Sequence, residues 1–189
     1  MAAGEDKNLN IEETCRMNKG LLLVVFVVSI VAFTFALAKG EETRSYSSPD
    51  RSLEVKIRSI GQSEESSVAI VENGGRVVSE QDYSSQTGTN GLVVEQATWT
   101  PDGQFFVFSA SSSGGHQPWK SPMFFYSRRL NKIFDITTYL PPVASSLFAI
   151  KGPDIITVTV WTPFAEHGTD GSIRLPITFK LGDLLQQPE

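Results

Sequence analysis

The stretch LEVKIRSI, Leu53 to Ile60, sends Leu53, Val55 and Ile57 to one side and Glu54, Lys56 and Arg58 to the other. Successive side chains of an extended chain point to opposite faces, so this contrast specifies a strand with one buried and one wetted face. The pattern returns along the chain. SVAIVENGGRVVSE predicts two short strands around Asn73-Gly74-Gly75, a composition that permits the positive φ angles of a tight hairpin. GLVVEQATW and QFFVFSAS flank Pro101-Asp102-Gly103, PMFFYS and KIFDIT flank Arg128 to Asn131, and SLFAI and DIITVTVW flank Lys151 to Pro153. In SIRLPITFKL the residues Ile173, Leu175, Ile177, Phe179 and Leu181 alternate with Arg174, Pro176, Thr178 and Lys180. Pro176 cannot donate a ladder hydrogen bond, which predicts an edge strand.

Nine or ten short strands joined by hairpin turns predict an all-β fold of antiparallel sheets, either a propeller-like stack of two or three sheets or a sandwich. No helical period of comparable length follows residue 38, apart from one possible turn within Gly182 to Gln187. One strand departs from simple alternation. In QFFVFSA both faces are apolar, with Phe106 and Phe108 on one and Phe105 and Val107 on the other, so this strand is expected to be central and covered on both sides. Trp99 stands just before its turn, placed to pack across it.

The first 52 residues read differently. Residues 1–20 form a polar leader, and Leu21 to Ala38 is an uncharged apolar run long enough to cross a bilayer as a helix. Two readings of this N-terminal hydrophobic helix stand. Ala36-Leu37-Ala38 fits the small-x-small pattern of a signal-peptidase site, with Lys19 close to an internal Met17 that could be the true start. A retained anchor accounts for the length of the apolar run and the polar residues ahead of it. Both readings place the remainder outside the cytoplasm, secreted or periplasmic, or held to the inner membrane through residues 21–38. Residues 39–52 are polar and turn-rich, the composition of a flexible tether, and the all-β domain is expected over 53–189.

Charge and cysteine content narrow the function. The net charge is -5 over 189 residues, and after residue 38 there are thirteen basic against seventeen acidic groups. A nucleic-acid partner calls for clustered excess Lys and Arg, so none is expected. Arg128, Arg129 and Lys132 read as the charged edge of a strand. Cys15 is the single cysteine and precedes the apolar run, so no internal disulfide forms and the position does not suit a lipidated cysteine.

Candidate chemistry is sparse. His116 and His167 exhaust the imidazoles, and a metal-dependent hydrolase built on both with Glu166 or Asp170 is one alternative. Glu166 and His167 are adjacent, however, and no H-E-x-x-H occurs, so neither a metal site nor a cofactor is expected. The chain also has no G-x-S-x-G elbow for serine chemistry. Binding is the better class. His116, Gln117 and Trp119 lie on the Gly- and Ser-rich loop Ser111 to Pro122, and together with Tyr126 they are the candidate recognition patch, for envelope proteins or for a saccharide or peptide ligand.

The run ATWTPDGQFFVFSAS, followed by MFFYS and KIFDI, resembles one WD40-like blade of the TolB-type propeller family. The matching residues are Trp99, Pro101, Asp102, Gly103, Phe106, Phe108 and Ser109, with Phe125 or Tyr126 and Asp135 in the later strands. The resemblance implies architectural roles, with Asp102 and Gly103 forming the hairpin turn and Trp99 capping the neighbouring blade. Thr100 stands where that family carries serine, and the loop Ser111 to Pro122 is longer and lacks the family's acids. KGPDIITVTVWTP is a degraded second copy. At about 40 to 45 residues per blade, 151 residues hold at most three blades, so a closed propeller is not expected from this chain.

Overall fold

A computed structural model describes residues 42–115, 120–161 and 173–186. The readings made for Cys15, residues 21–38, His116, Gln117, Trp119, Glu166, His167 and Asp170 fall outside the described residues. Among those described there are eleven strands: β1 (Thr43–Ser47), β2 (Leu53–Ile60), β3 (Glu65–Glu72), β4 (Val77–Asp82), β5 (Leu92–Trp99), β6 (Phe105–Ser112), β7 (Met123–Ser127), β8 (Lys132–Asp135), β9 (Val143–Lys151), β10 (Ile155–Trp161) and β11 (Arg174–Lys180). One helical turn, Leu181–Leu184, follows β11. The strands form three antiparallel meanders, β1 to β4, β5 to β8 and β9 to β11, which is the all-β stack that the alternation predicts.

The expected tether is partly wrong. Residues 43–47 are strand β1, paired with β2 from Thr43↔Arg58 to Ser47↔Glu54, so the fold begins ten residues before Leu53. TRSYS carries little apolar signal by itself, but Tyr46 packs edge-on against Phe106 at 5.5 Å between ring centroids and pulls the strand onto the neighbouring sheet.

Burial explains how the layers end. β2 buries Leu53, Val55 and Ile57, and its charged face, with Lys56 beside Glu54 and Arg58 beside Glu80, finishes the first sheet in water. β10 does the same for the third sheet, burying Ile156, Val158 and Val160 while Thr157 bonds Thr178 on the outside. In the middle sheet the central strands β6 and β7 have no wetted face. Phe106, Phe108, Phe124 and Tyr126 pack toward the first sheet, and Phe105, Val107, Met123 and Phe125 toward the third. Each fully buried aromatic contributes about 1.5–3 kcal/mol, so two cores share one sheet and bind three layers into one body.

The turns between first and second strands repeat. Ser48-Pro49-Asp50-Arg51 joins β1 to β2, Thr100-Pro101-Asp102-Gly103 joins β5 to β6, and Gly152-Pro153-Asp154 joins β9 to β10, with the prolines 52 residues apart. The first two share the same central hydrogen bonds. The Ser48 hydroxyl donates to Asp50 at 2.7 Å and accepts from the Leu53 amide at 3.0 Å. Thr100 donates to Asp102 at 2.7 Å and accepts from the Phe105 amide at 3.1 Å. Each then needs a positive φ, supplied by Gly103 at 67° and, at more strain, by Arg51 at 58°.

The long connections all leave from the same end of the strands. At one end lie only tight turns, residues 48–52, 73–76, 100–104, 128–131 and 152–154. At the other lie 61–64, 83–91 and 136–142, the strand ends from which the β6–β7 and β10–β11 connections leave, and the start of β1. We refer to these as the turn end and the loop end.

Candidate functional site

The loop end is organised by Glu65, the first residue of β3, which is 1% exposed. Its carboxylate accepts from the Ser85 amide at 2.6 Å, the Gly91 amide at 2.8 Å and the Ser113 hydroxyl at 2.6 Å, with a further bond from the Ser85 hydroxyl. These donors belong to the crossover between the first two sheets and to the loop leaving β6, so one buried charge ties both to β3. Burial alone would raise the carboxyl's pKa, but the Ser113, Ser85 and Gly91 donors outweigh it and hold the group down at about 2. Gly91 is obligatory beside it, because a Cβ there would lie 2.6 Å from the Tyr83 carbonyl oxygen as well as against the carboxylate.

Ser113 and Lys120 bracket the candidate recognition loop, which therefore springs from this end. His116, Gln117 and Trp119 themselves are outside the described residues. Tyr126 is not part of the same patch. It is 1% exposed, lies at the turn end of β7 and donates its hydroxyl to Asn131 at 2.6 Å. The sequence placed it near the loop because it follows closely in the chain, but the length of β7 separates the two ends.

Trp99 sits at the turn end, with its indole N–H donating to the Tyr46 carbonyl in the first sheet at 2.9 Å. Pro101, Asp102 and Gly103 make the turn below it, and Phe106 and Phe108 are fully buried in the first core. Arg128 does not stand as a free edge charge. It crosses to the first sheet's turn, donating to Asp50 at 2.8 Å and Ser52 at 2.6 Å. Ser48 and Arg128 together depress the Asp50 carboxyl well below its ordinary range.

A cleft of about 520 Å³ opens between the first two sheets at the turn end, lined by Ser52, Glu72, Asn73, Tyr126, Arg128 and Asn131 among others. Its polar groups are largely committed to one another. Asn131 accepts from Tyr126 and donates to the Val78 carbonyl, and Glu72 holds Arg76 through two bonds. The site's chemistry is thus that of clasps between layers. On the opposite flank, the Gln96 side chain donates to the Phe148 carbonyl and accepts from its amide, both at 3.0 Å, joining β5 to β9. A bulge between Val94 and Gln96 turns that side chain toward the third sheet.

Among the described residues no group of three or more His, Cys, Asp or Glu is placed to hold a metal ion, and no helix is long and apolar enough to cross a membrane. No family model matches the chain, and no curated protein matches it. In structure it is similar to the beta-propeller domain of the Trilobed protease from Pyrococcus furiosus, described as having an open velcro topology, with a TM-score of 0.43 and 11% identity over 72% of this chain. The similarity spans 39% of that protein's chain.

Proposed function

We propose that this chain is a non-catalytic binding or structural module of a cell envelope, built of TolB-type blades and placed outside the cytoplasm by residues 21–38 acting as a signal peptide or a membrane anchor. The observation that carries this reading is the segregation of the connections. Three sheets locked by two cores and several side-chain clasps form a rigid body, and every long connection among its strands leaves from one end. Recognition by loops on a stiff β scaffold needs that arrangement. The buried carboxylate at that end supports the same view, because Glu65 is committed to four donors that shape loops and has no bond left for a substrate.

The partners proposed are envelope proteins that contact the loop end. Affinity capture with the full chain in native membranes tests this, comparing wild type with His116→Ala and Trp119→Ala and with Arg129→Glu at the turn end. Partners lost with the two loop variants and kept with Arg129→Glu support the reading. Capture unchanged by the loop variants, or lost only with Arg129→Glu, refutes it.

A further inference from the structure

We infer that Asn73 is a site of covalent modification, where the side-chain amide is lost through a succinimide and replaced by an aspartyl or isoaspartyl carboxylate, while the fold protects the chain's second Asn-Gly pair.

The chain carries two such pairs, Asn73-Gly74 and Asn90-Gly91. A glycine after asparagine favours the reaction because it has no Cβ to hinder the close approach of its nitrogen to the asparagine side chain. The glycine nitrogen attacks the asparagine Cγ, a C–N bond forms, and the side-chain nitrogen leaves as ammonia, carrying away the proton the attacking nitrogen gives up. Water then opens the ring at either carbonyl, giving aspartate or, with the backbone rerouted through the side chain, isoaspartate. Nothing is oxidised or reduced, and water is the only co-reactant. The reaction thus needs a glycine N–H without a partner, an unrestrained asparagine side chain and room for the turn to rotate.

Asn73-Gly74 meets all three needs. It is the exposed tip of the β3–β4 hairpin, closed by the Gly75 amide donating to the Glu72 carbonyl at 2.9 Å. Among the described residues, neither the Gly74 amide nor the Asn73 side chain makes a hydrogen bond. A Cβ placed on Gly74 or Gly75 would meet no atom within 4 Å, so the tip has space to turn. Asn90-Gly91 meets none of them. The Gly91 amide donates to the buried Glu65 carboxylate at 2.8 Å, and Asn90 is tied through its own amide to Ser85 and through its side chain to Thr87. A Cβ on Gly91 would lie 2.6 Å from the Tyr83 carbonyl oxygen. Its nitrogen must first give up a bond to a charged acceptor, which slows attack about ten- to hundredfold.

Conversion has a structural consequence at the turn end. Asn73 lines the same cleft as Glu72 and Arg128, so the product adds a negative charge beside Glu72 on that wall. The isoaspartyl form also inserts a methylene into the backbone where the Asn73 amide donates to the Ser52 carbonyl at 3.0 Å, loosening the contact between two turns of the first sheet.

The test incubates the full chain in detergent in mildly alkaline buffer, folded and in concentrated guanidinium chloride. Peptide mass spectrometry follows each asparagine, and isoaspartyl methyltransferase labels the isoaspartyl product. Asn73→Asp supplies the aspartyl standard, and Asn73→Gln removes the reactive group. The expected result is similar conversion of the two pairs in denaturant. In the folded chain Asn73 keeps its rate, Asn90 slows about ten- to hundredfold, and the label is lost with Asn73→Gln. A folded chain in which Asn73 is slowed as much as Asn90, or in which Asn90 converts as fast as Asn73, overturns the inference. Labelling undiminished in Asn73→Gln overturns it as well.

Discussion

Replacing Glu65 by Gln is the sharpest perturbation of the clasp at the loop end. The shape is conserved, but an acceptor-only group becomes half donor. Every group facing the carboxylate donates: the Ser85 amide to one oxygen, the Gly91 amide and the Ser113 hydroxyl to the other. Whichever way the new amide turns, its NH2 meets a backbone N–H that is then unpaired, at a cost of about 1–3 kcal/mol. The bonds that survive fall from charge-assisted to neutral strength, losing roughly 1 kcal/mol each. The sum is about 3–5 kcal/mol, a large share of the 5–15 kcal/mol that holds a typical domain together. Urea unfolding of the full chain in detergent, followed by tryptophan emission, reads this directly. The same pair tests the pKa. A carboxyl lowered from an ordinary value near 4.5 to about 2 stabilises the fold above pH 4.5 and loses that contribution as pH falls toward 2. Wild type should therefore weaken across that window, and Glu65→Gln should show a flatter slope there. A Gln variant within about 0.5 kcal/mol of wild type, with an equal acid slope, would refute the clasp.

Other consequences follow from single contacts. Gly103→Ala forces a side chain to φ 67° with its Cβ 3.1 Å from Pro49 Cδ, and should cost about 1–2 kcal/mol by thermal unfolding. Ser127→Ala should be neutral or stabilising by up to about 1 kcal/mol in the same assay, because the Ser127 hydroxyl is buried at the edge of the second core without a hydrogen-bond partner. Gln96→Leu removes both bonds to Phe148 and leaves that backbone amide and carbonyl unpaired, so it should lower the urea midpoint by the equivalent of about 2–4 kcal/mol.

Much of the layering was legible in the chain because burial writes itself into period. Glu54, Lys56 and Arg58 announce that β2 has a wet face, and Phe105 to Phe108 announce that β6 has none. What was hidden lacked a local signal. β1 contributes one apolar residue in five, and its place is fixed by Tyr46 meeting Phe106, sixty residues away. The turn at Ser48-Pro49-Asp50 repeats Thr100-Pro101-Asp102 at a spacing of 52, but without the flanking tryptophan and with Arg51 where glycine would be expected. The repeat of Pro-Asp at equal intervals was the available clue. Glu65 reads as an acid near a turn, since its donors lie 20, 26 and 48 residues distant and only the stacking of sheets assembles them. Tyr126 was misplaced for the converse reason, as closeness in sequence to a loop says nothing about which end of a strand a side chain occupies.

The account stands on a middle sheet whose central strands are buried on both faces, and amide hydrogen exchange measures this most directly. Val107 and Phe125, each fully buried in the second core, should exchange only through global unfolding, with β4 and β11 opening at lower free energy. Amides of β6 and β7 that exchange as fast as those of β4 or β11 would contradict the three-layer stack.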